Sequence, residues 1–195
     1  PISAAIITAL LSKFGHEAVA ASGAASRIEM VAFVIPMALG ISMTPFMSQN
    51  LGAGRLDRII EAKNLSSAFA IIYGLFIAIV FFFSAPWLAG IFTNDPTVAE
   101  ILIEYIRIIA WGYGLMEVHR YSGFVFTGMH RPYSATALNV VRILVFLIPL
   151  SYAGAHFYGI TGIFAARLIT DLTVGTLGLI WVSKALNSQK SIYVL

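Results

Sequence analysis

The sequence has no cysteine and few charged residues. The absence of cysteine from all 195 residues excludes disulfides, thiolate chemistry and cysteine-ligated metal sites. Charged residues make up 11% of the chain, whereas a soluble domain usually has about 25%. Apolar residues make up 59%, and the mean hydropathy is +0.87. Because such a chain cannot build a water-compatible surface, we expect a polytopic membrane protein surrounded by lipids.

The sequence also lacks the short motifs that identify common enzyme classes. It contains neither GxSxG nor GxxxxGKS, and the GAG triplet at 52–54 follows an apolar segment rather than a strand. No two of the four histidines have metal-ligand spacing, so we predict no metal site. The formal net charge of +3 is too small to indicate nucleic acid as a partner. We therefore expect a protein that is not an enzyme and has no cofactor.

Long apolar runs are the main structural signal. The run at 68–92, AFAIIYGLFIAIVFFFSAPWLAGIF, is almost continuous, whereas a membrane β-strand would alternate apolar and polar residues. In lipid the backbone must satisfy its own hydrogen bonds, so the runs predict an all-α transmembrane bundle. A partial helix is expected at about 1–12. Five full spans are expected at about 17–50, 65–92, 98–129, 133–155 and 160–183.

The basic residues between these spans predict the orientation in the membrane. One side of the bundle would carry six of them: Arg55, Arg58, Lys63, Arg131, Lys184 and Lys190. The opposite side would carry only Lys13. Because cytoplasmic loops are enriched in lysine and arginine, we expect the 52–55 loop and the C-terminus in the cytoplasm. The expected location is the plasma membrane, which in bacteria is the inner membrane.

Glu117 is a carboxylate in the most polar span. On a helix it shares a face with Tyr113, Tyr121 and Phe124. A charge facing lipid costs at least about 2.5–3.5 kcal/mol at the bilayer centre, so Glu117 should face other helices or water. Aromatic rings beside a carboxylate suit an aromatic cation or a proton, which makes Glu117 a candidate for ion coupling and cation binding. The alternative is a local ion pair with Arg120.

Glu29 opens a segment that also contains two prolines. It shares a helix face with Phe33 and Pro36, and Pro36 should free the backbone carbonyl of Ala32. Free backbone at membrane depth is tolerated where it lines a cavity or is buried in protein. Glu29 is therefore a second candidate for ion coupling, with Phe33 and Pro36 as cavity lining. The alternative places Glu29 at the outer interface, in contact with lipid headgroups.

Two further charges in the spans indicate a structural role. Asp171 lies four residues after Arg167, a spacing that favours an ion pair on one helix. Arg142 has no acidic residue at helical spacing. We expect it to reach toward another helix or a backbone carbonyl.

Four segments together resemble the multidrug and toxic compound extrusion (MATE) transporters. They are SRIEMVAFVIPMALGISMTPFMSQNLGAGR at 26–55, EYIRIIAWGYGL at 104–115 followed by GMHRP, NVVRILVFLIPLSY at 139–152, and GITGIFAARLITDL at 159–172. The resemblance covers nearly the whole chain and is to the C-terminal six-helix lobe. It implies twelve helices in two lobes around a cleft, so residues 1–195 would be one lobe whose partner is the missing N-terminal lobe.

The resemblance also implies a function. It predicts a secondary antiporter that exports small organic cations or drugs in exchange for Na⁺ or H⁺. Glu117 lies on the equivalent of the tenth helix, near an acidic position that some branches use for coupling. An alternative within the superfamily is a flippase for lipid-linked oligosaccharides, which would need a cationic cavity such as Arg120 and Arg142 could form. A membrane bundle that does not transport is a third possibility.

Overall fold

The chain is an all-α bundle, as the apolar runs predicted. The computed structural model describes residues 2–193, with side-chain surroundings for residues 3–189. Pro1, Val194 and Leu195 of the predicted lobe lie outside this range, and so does the side chain of Lys190. The α-helices are α1 (Ile2–Leu11), α2 (His16–Ala32), α3 (Val34–Gly52), α4 (Leu56–Phe92), α5 (Pro96–Ile109), α6 (Tyr113–Gly128), α7 (Pro132–Val140) and α8 (Ile148–Tyr193).

Three short helical segments adjoin these α-helices, and Gly15 lies between the first of them and α2. Two are 3₁₀ helices, at Ser12–Phe14 and Ala110–Gly112, and the third is a π-helix at Val141–Leu147. The helix α4 begins before the apolar segment 65–92 and continues through it. In the described residues, α4 and the segment Pro132–Gln189 are each long and apolar enough to cross a membrane. The pair α2 and α3 adds a third candidate span if the two helices are counted together.

The predicted span at 17–50 is bent. The helices α2 and α3 meet at an angle of 60°. Phe33, between them, has φ −96° and ψ 4°, and Pro36 follows three residues later. Proline lacks the N–H that would bond the carbonyl four residues earlier, so the Ala32 carbonyl is free. The Tyr73 hydroxyl of α4 donates to that carbonyl at 2.7 Å, which confirms the predicted effect of Pro36.

The helix α8 is broken at Gly159. This residue has φ 61° and ψ −137°, a conformation that favours glycine. The backbones of Gly154 and Gly162 are in contact, so a Cβ on either would collide with the other. Eight residues of straight helix would separate them by about 12 Å. The chain therefore folds back at Gly159, and residues 148–158 and 160–193 form two arms.

Close glycine contacts hold the helices together. Gly74 of α4 lies against the backbone of Gly114 of α6, and Gly175 of α8 lies against the Leu115 carbonyl. Small residues let helix backbones approach closely where lipid provides no hydrophobic drive for association. The helix α6 contacts α3, α4 and α8, so it lies at the centre of the bundle.

Two hydrogen bonds connect the ends of the helices on one side. Ser48 Oγ at the end of α3 donates to the Gly128 carbonyl at the end of α6, at 3.0 Å. Lys63 Nζ near the start of α4 donates to Ser183 Oγ in the last part of α8, at 3.0 Å. The 53–55 loop, the turn after α6 and the last part of α8, near Ser183, therefore lie at one end of the bundle. The count of basic residues in the sequence also assigned these three segments to one side of the bundle.

Candidate functional site

Six charged side chains inside the bundle form a set of ion pairs. The acidic members are Glu29 of α2, Glu117 of α6 and Asp171 of α8. The basic members are Arg120, Arg142 and Arg167. We call these six residues the charge network. With three acids and three arginines its formal charge is zero, and charged residues within membrane spans usually pair with one another.

Glu29 has its bonding capacity largely filled. Its Oε2 accepts a hydrogen bond from Arg167 Nη2 at 2.9 Å. Its Oε1 accepts from the Tyr105 hydroxyl at 2.9 Å and from the Tyr113 hydroxyl at 3.2 Å. Arg167 also donates to the Tyr105 hydroxyl. The carboxylate thus joins α2, α5, α6 and α8 inside the protein, rather than contacting lipid headgroups.

Asp171 is shared between two arginines. Arg142 Nη2 donates to its Oδ1 at 2.8 Å, which gives Arg142 the partner on another helix that the sequence predicted. Arg167 Nε lies 3.8 Å from its Oδ2. The predicted Arg167–Asp171 pair is therefore present at i,i+4 spacing but is the longest contact of the network. Arg167 lies closer to Glu29, and Asp171 lies closer to Arg142.

Glu117 differs from the other two acids. Its side chain is 1% exposed, and Arg120 Nη1 lies 2.9 Å from its Oε1. This is the local ion pair that the sequence allowed as an alternative. Neither carboxylate oxygen of Glu117 accepts a hydrogen bond from any residue that the structure describes. A buried carboxylate without hydrogen bonds is costly, since its loss of hydration is compensated only by one ion pair.

Arg120 connects Glu117 to a cavity. The side chain of Arg120 is 36% exposed, and its guanidinium lies over the Phe33 ring at 5.7 Å from the centroid. The cavity has a volume of about 330 Å³. The residues that line it are Met116, His119, Arg120, Gly123, Phe124, Thr127, Ala135, Asn139 and Arg142. We call it the α6–α7 cavity. Arg120 can therefore leave Glu117 and still face open space.

The residues predicted to line a cavity occupy different places. Phe124 lines the α6–α7 cavity. Tyr113 and Tyr121 are each 1% exposed, and Phe33 is 7% exposed. The Tyr121 hydroxyl donates to the carbonyl of the buried Pro36 at 2.9 Å. These four side chains are packed between helices of the lobe, where they hold the bent segment α2–α3 against α6.

A second cavity in the lobe also contacts Arg142. Its volume is about 230 Å³, and Tyr105, Ser151 and Arg167 are among its lining residues. Ser151 Oγ and Arg142 Nε are buried and have no hydrogen-bond partner among the described residues. Arg142 therefore lines both cavities, and its Nε has no acceptor among the described residues.

Sequence reasoning missed several residues of the site. Tyr105, which bonds Glu29, gave no signal because residues 29 and 105 are far apart in the chain. His119 and Asn139 line the α6–α7 cavity, and His119 Nε2 lies 3.3 Å from Asn139 Oδ1. The signal for Arg142 was present, since an arginine in an apolar span without a local acid must find a partner elsewhere.

The chain is similar to a known family of membrane transporters. The family model that matches is MatE, over residues 1–153. An FAD transporter from Shewanella oneidensis is 36% identical over 175 residues, which are 90% of this chain and 39% of that protein. A probable multidrug resistance protein NorM from Listeria monocytogenes is 26% identical over 100 residues, 51% of this chain and 22% of that protein. These relatives do not favour the flippase alternative.

A solved structure matches over nearly the whole chain. The Vibrio cholerae MATE transporter VcmN in its bent form superposes with a TM-score of 0.94 at 30% identity. The match covers 99% of this chain and 44% of that transporter. The chain therefore spans less than half the length of these relatives and corresponds to one lobe of a two-lobe structure.

Proposed function

Because this chain belongs to the MatE family, we propose that it is one lobe of a secondary active antiporter that exports organic cations in exchange for Na⁺ or H⁺. The N-terminal lobe of the same transporter would be its partner. The solute would bind in the cleft between the lobes. This proposal keeps the substrate class that the sequence predicted.

The observation that carries the proposal is the state of Glu117. It is a carboxylate with 1% exposure that accepts no hydrogen bond within the described part of the chain, and the counter-charge found there, Arg120, is itself partly exposed. A charge at membrane depth that is incompletely bonded marks a functional site more often than a structural one. Another positive group can replace Arg120 at this carboxylate without breaking a hydrogen bond among the described residues.

The mechanism is competition for Glu117 among three positive groups. They are the Arg120 guanidinium, the coupling ion and the cationic group of the solute. When Na⁺ or H⁺ occupies Glu117, the cationic solute loses its counter-charge and is released. When the ion leaves, the solute binds again. Arg120 holds the carboxylate between these states, which limits the time that Glu117 spends as an unpaired charge.

The contacts separate the roles of the two candidate carboxylates. Glu29 accepts hydrogen bonds from Tyr105, Tyr113 and its ion-pair partner Arg167, so an ion or solute would have to displace several contacts. Among the residues with described side chains, Glu117 has one ion-pair contact to displace. We therefore assign ion coupling to Glu117 and propose that Glu29 anchors α2 at the bend.

A flavin nucleotide is the second candidate substrate. The FAD transporter relative favours it, and so do the arginines that line the α6–α7 cavity. The sign of coupling distinguishes the two. If the solute were purely anionic, protonation of Glu117 would release Arg120 and strengthen solute binding. Ion and solute would then bind together, whereas competition at Glu117 makes them exclude each other.

The test is export driven by an ion gradient. The full-length transporter would be reconstituted in liposomes, with Glu117→Gln as the variant and Glu100→Gln, an exposed carboxylate on α5, as the control. We expect the wild type and the control to export an organic cation against its gradient when Na⁺ or H⁺ flows inward. We expect the Glu117 variant to lose this activity. Full activity of the variant would remove Glu117 from the mechanism.

A further inference from the structure

We infer that the coupling ion crosses the lobe by a path of its own, made of the two cavities and closed between them by the Arg142–Asp171 pair. The inference rests on the proposed function, because it names the route by which the ion of the antiporter reaches Glu117. The solute would use the cleft between the lobes instead. Three observations support the path: the positions of the cavities, their polar lining, and the contact of Arg142 with both.

The two cavities lie toward opposite ends of the bundle. Thr127 lines the α6–α7 cavity and lies one residue before the end of α6, at the end of the bundle with the 53–55 loop. Phe164 lines the second cavity, five residues after the turn at Gly159. The second arm of α8 runs from that turn to Ser183 near the loop end, a distance of about 36 Å along a straight helix. The turn is therefore at the opposite end.

Both cavities are lined by groups that bind water. The second cavity has six hydroxyl groups, from Ser3, Thr8, Ser22, Ser26, Tyr105 and Ser151. The polar side chains at the α6–α7 cavity other than Arg142 are those of His119, Arg120, Thr127 and Asn139. The two volumes are about 230 and 330 Å³, and a much smaller polar cavity can hold a water. Each cavity can therefore hold several waters, along which a proton or Na⁺ can move.

Arg142 is placed to stop a cation between the cavities. Among the described residues it alone lines both of them, and its partner Asp171 is buried. Its Nε and the Oγ of Ser151 are buried without partners among the described residues, and waters in the second cavity would satisfy them. A fixed arginine charge in a pore excludes protons and other cations. Water can therefore reach Arg142, whereas a cation is held back there.

The backbone around Arg142 provides a way to open the path. This residue lies in the π-helix Val141–Leu147, and π-turns within α-helices are frequent at functional sites. A π-turn contains one extra residue. If that extra residue moved past position 142, Arg142 would rotate by about 100° around the helix axis, the angle per residue of an α-helix. The rotation would carry its guanidinium away from Asp171 and join the cavities.

Ion leak in the absence of solute tests the path. The full-length transporter would be reconstituted in liposomes, with trapped pyranine to report H⁺ entry and radioactive Na⁺ to report Na⁺ entry. Arg142→Gln removes the charge between the cavities and lowers the barrier, so we expect ions to enter at least about tenfold faster than in the wild type. Arg142→Lys keeps the charge and should be as tight as the wild type. Arg107→Gln is the control, because Arg107 lies over Phe82 and neither residue lines either cavity.

A double variant separates a leak from loss of structure. Arg142→Gln leaves Asp171 with Arg167, at 3.8 Å, as its basic partner among the described residues. Adding Asp171→Asn removes both charges of the pair, while Arg167 retains Glu29. We expect the double variant to elute as a single peak in size-exclusion chromatography and to leak as fast as Arg142→Gln. A purely structural role of Arg142 would not give a folded protein whose leak depends on the charge at this position.

Cysteine labelling locates the barrier in a chain that retains Arg142. In a cysteine-free background, Ser151→Cys should react with a cationic thiosulfonate only from the outside, and Thr127→Cys only from the cytoplasmic side. The change at Ser151 loses no side-chain hydrogen bond among the described residues.

The inference is overturned if the folded double variant is as tight as the wild type, or if the wild type leaks as fast as Arg142→Gln. Reaction of Ser151→Cys from the cytoplasmic side, or from neither side, also overturns it. Failure of the proposed function gives a different result, since the wild type then exports no organic cation in an ion gradient while the leak still depends on residue 142. Export by the wild type together with a tight Arg142→Gln variant would retain the antiporter and reject the path.

Discussion

Replacing Glu29 with glutamine should destabilise the protein far more than the same change at Glu117. At Glu29 the change removes the counter-charge of Arg167 and leaves that arginine with Asp171 at 3.8 Å, which Arg142 already holds at 2.8 Å. Breaking a buried pair costs about 3–5 kcal/mol. The side chains of Arg167 and Glu29 are 25% and 13% exposed, so we take the lower end, about 3 kcal/mol.

At Glu117 the same change removes a buried charge that accepts no hydrogen bond among the described residues. The amide keeps the shape of the side chain, and Arg120 can hydrate in the cavity. We expect the free energy of unfolding to rise or fall by no more than about 1 kcal/mol. The two variants should therefore differ by about 2–3 kcal/mol, with the lower midpoint temperature for the Glu29 variant.

The assay is thermal unfolding of the purified full-length transporter, followed by size-exclusion chromatography with fluorescence detection. Glu100→Gln serves as the control for loss of an exposed carboxylate. Equal midpoints for the Glu29 and Glu117 variants would refute the assignment of different roles. A larger loss at Glu117 would show that its pairing with Arg120 is structural.

Two further predictions concern packing and topology. Gly74→Ala should destabilise the lobe by about 1–3 kcal/mol, because the new Cβ meets the backbone of Gly114. Gly90→Ala on the same helix should be neutral or stabilising, because its new Cβ meets nothing within 4 Å. Thermal unfolding of both variants checks this difference. The orientation can be tested with single cysteines in a cysteine-free background and a maleimide that does not cross the membrane. Ala53→Cys should react only from the cytoplasmic side and Asn94→Cys only from the outside. Labelling of both cysteines from one side would contradict the proposed orientation.

Local features of the structure could be predicted from the sequence. The apolar runs predicted the helices because backbone hydrogen bonds in lipid must be satisfied within each segment. The effect of Pro36 on the Ala32 carbonyl was predictable because it depends on a fixed four-residue relation. The Glu117–Arg120 pair could be predicted as an alternative because residues three apart share a helix face.

The long-range contacts could not be predicted. Glu29 and Arg167 are 138 positions apart, and no local spacing connects them. The four-residue spacing of Arg167 and Asp171 indicated a pair, but each residue has a closer partner on another element. Helical spacing identifies which residues share a face, whereas the partner on a facing helix depends on how the helices pack. For this reason Tyr113, Tyr121 and Phe33, which were predicted to line a cavity, pack between helices instead. Phe124 does line the α6–α7 cavity.

The most direct test of competition at Glu117 is solute affinity as a function of the coupling ion. Binding of rhodamine 6G, a fluorescent organic cation, to the full-length transporter would be measured across a series of Na⁺ concentrations and pH values, for the wild type and Glu117→Gln. If one ion excludes one solute, the apparent Kd of the wild type rises about tenfold for each tenfold increase in the saturating ion. The Glu117 variant should bind weakly and show no dependence on either ion. Retention of the wild-type ion dependence by that variant would contradict the account.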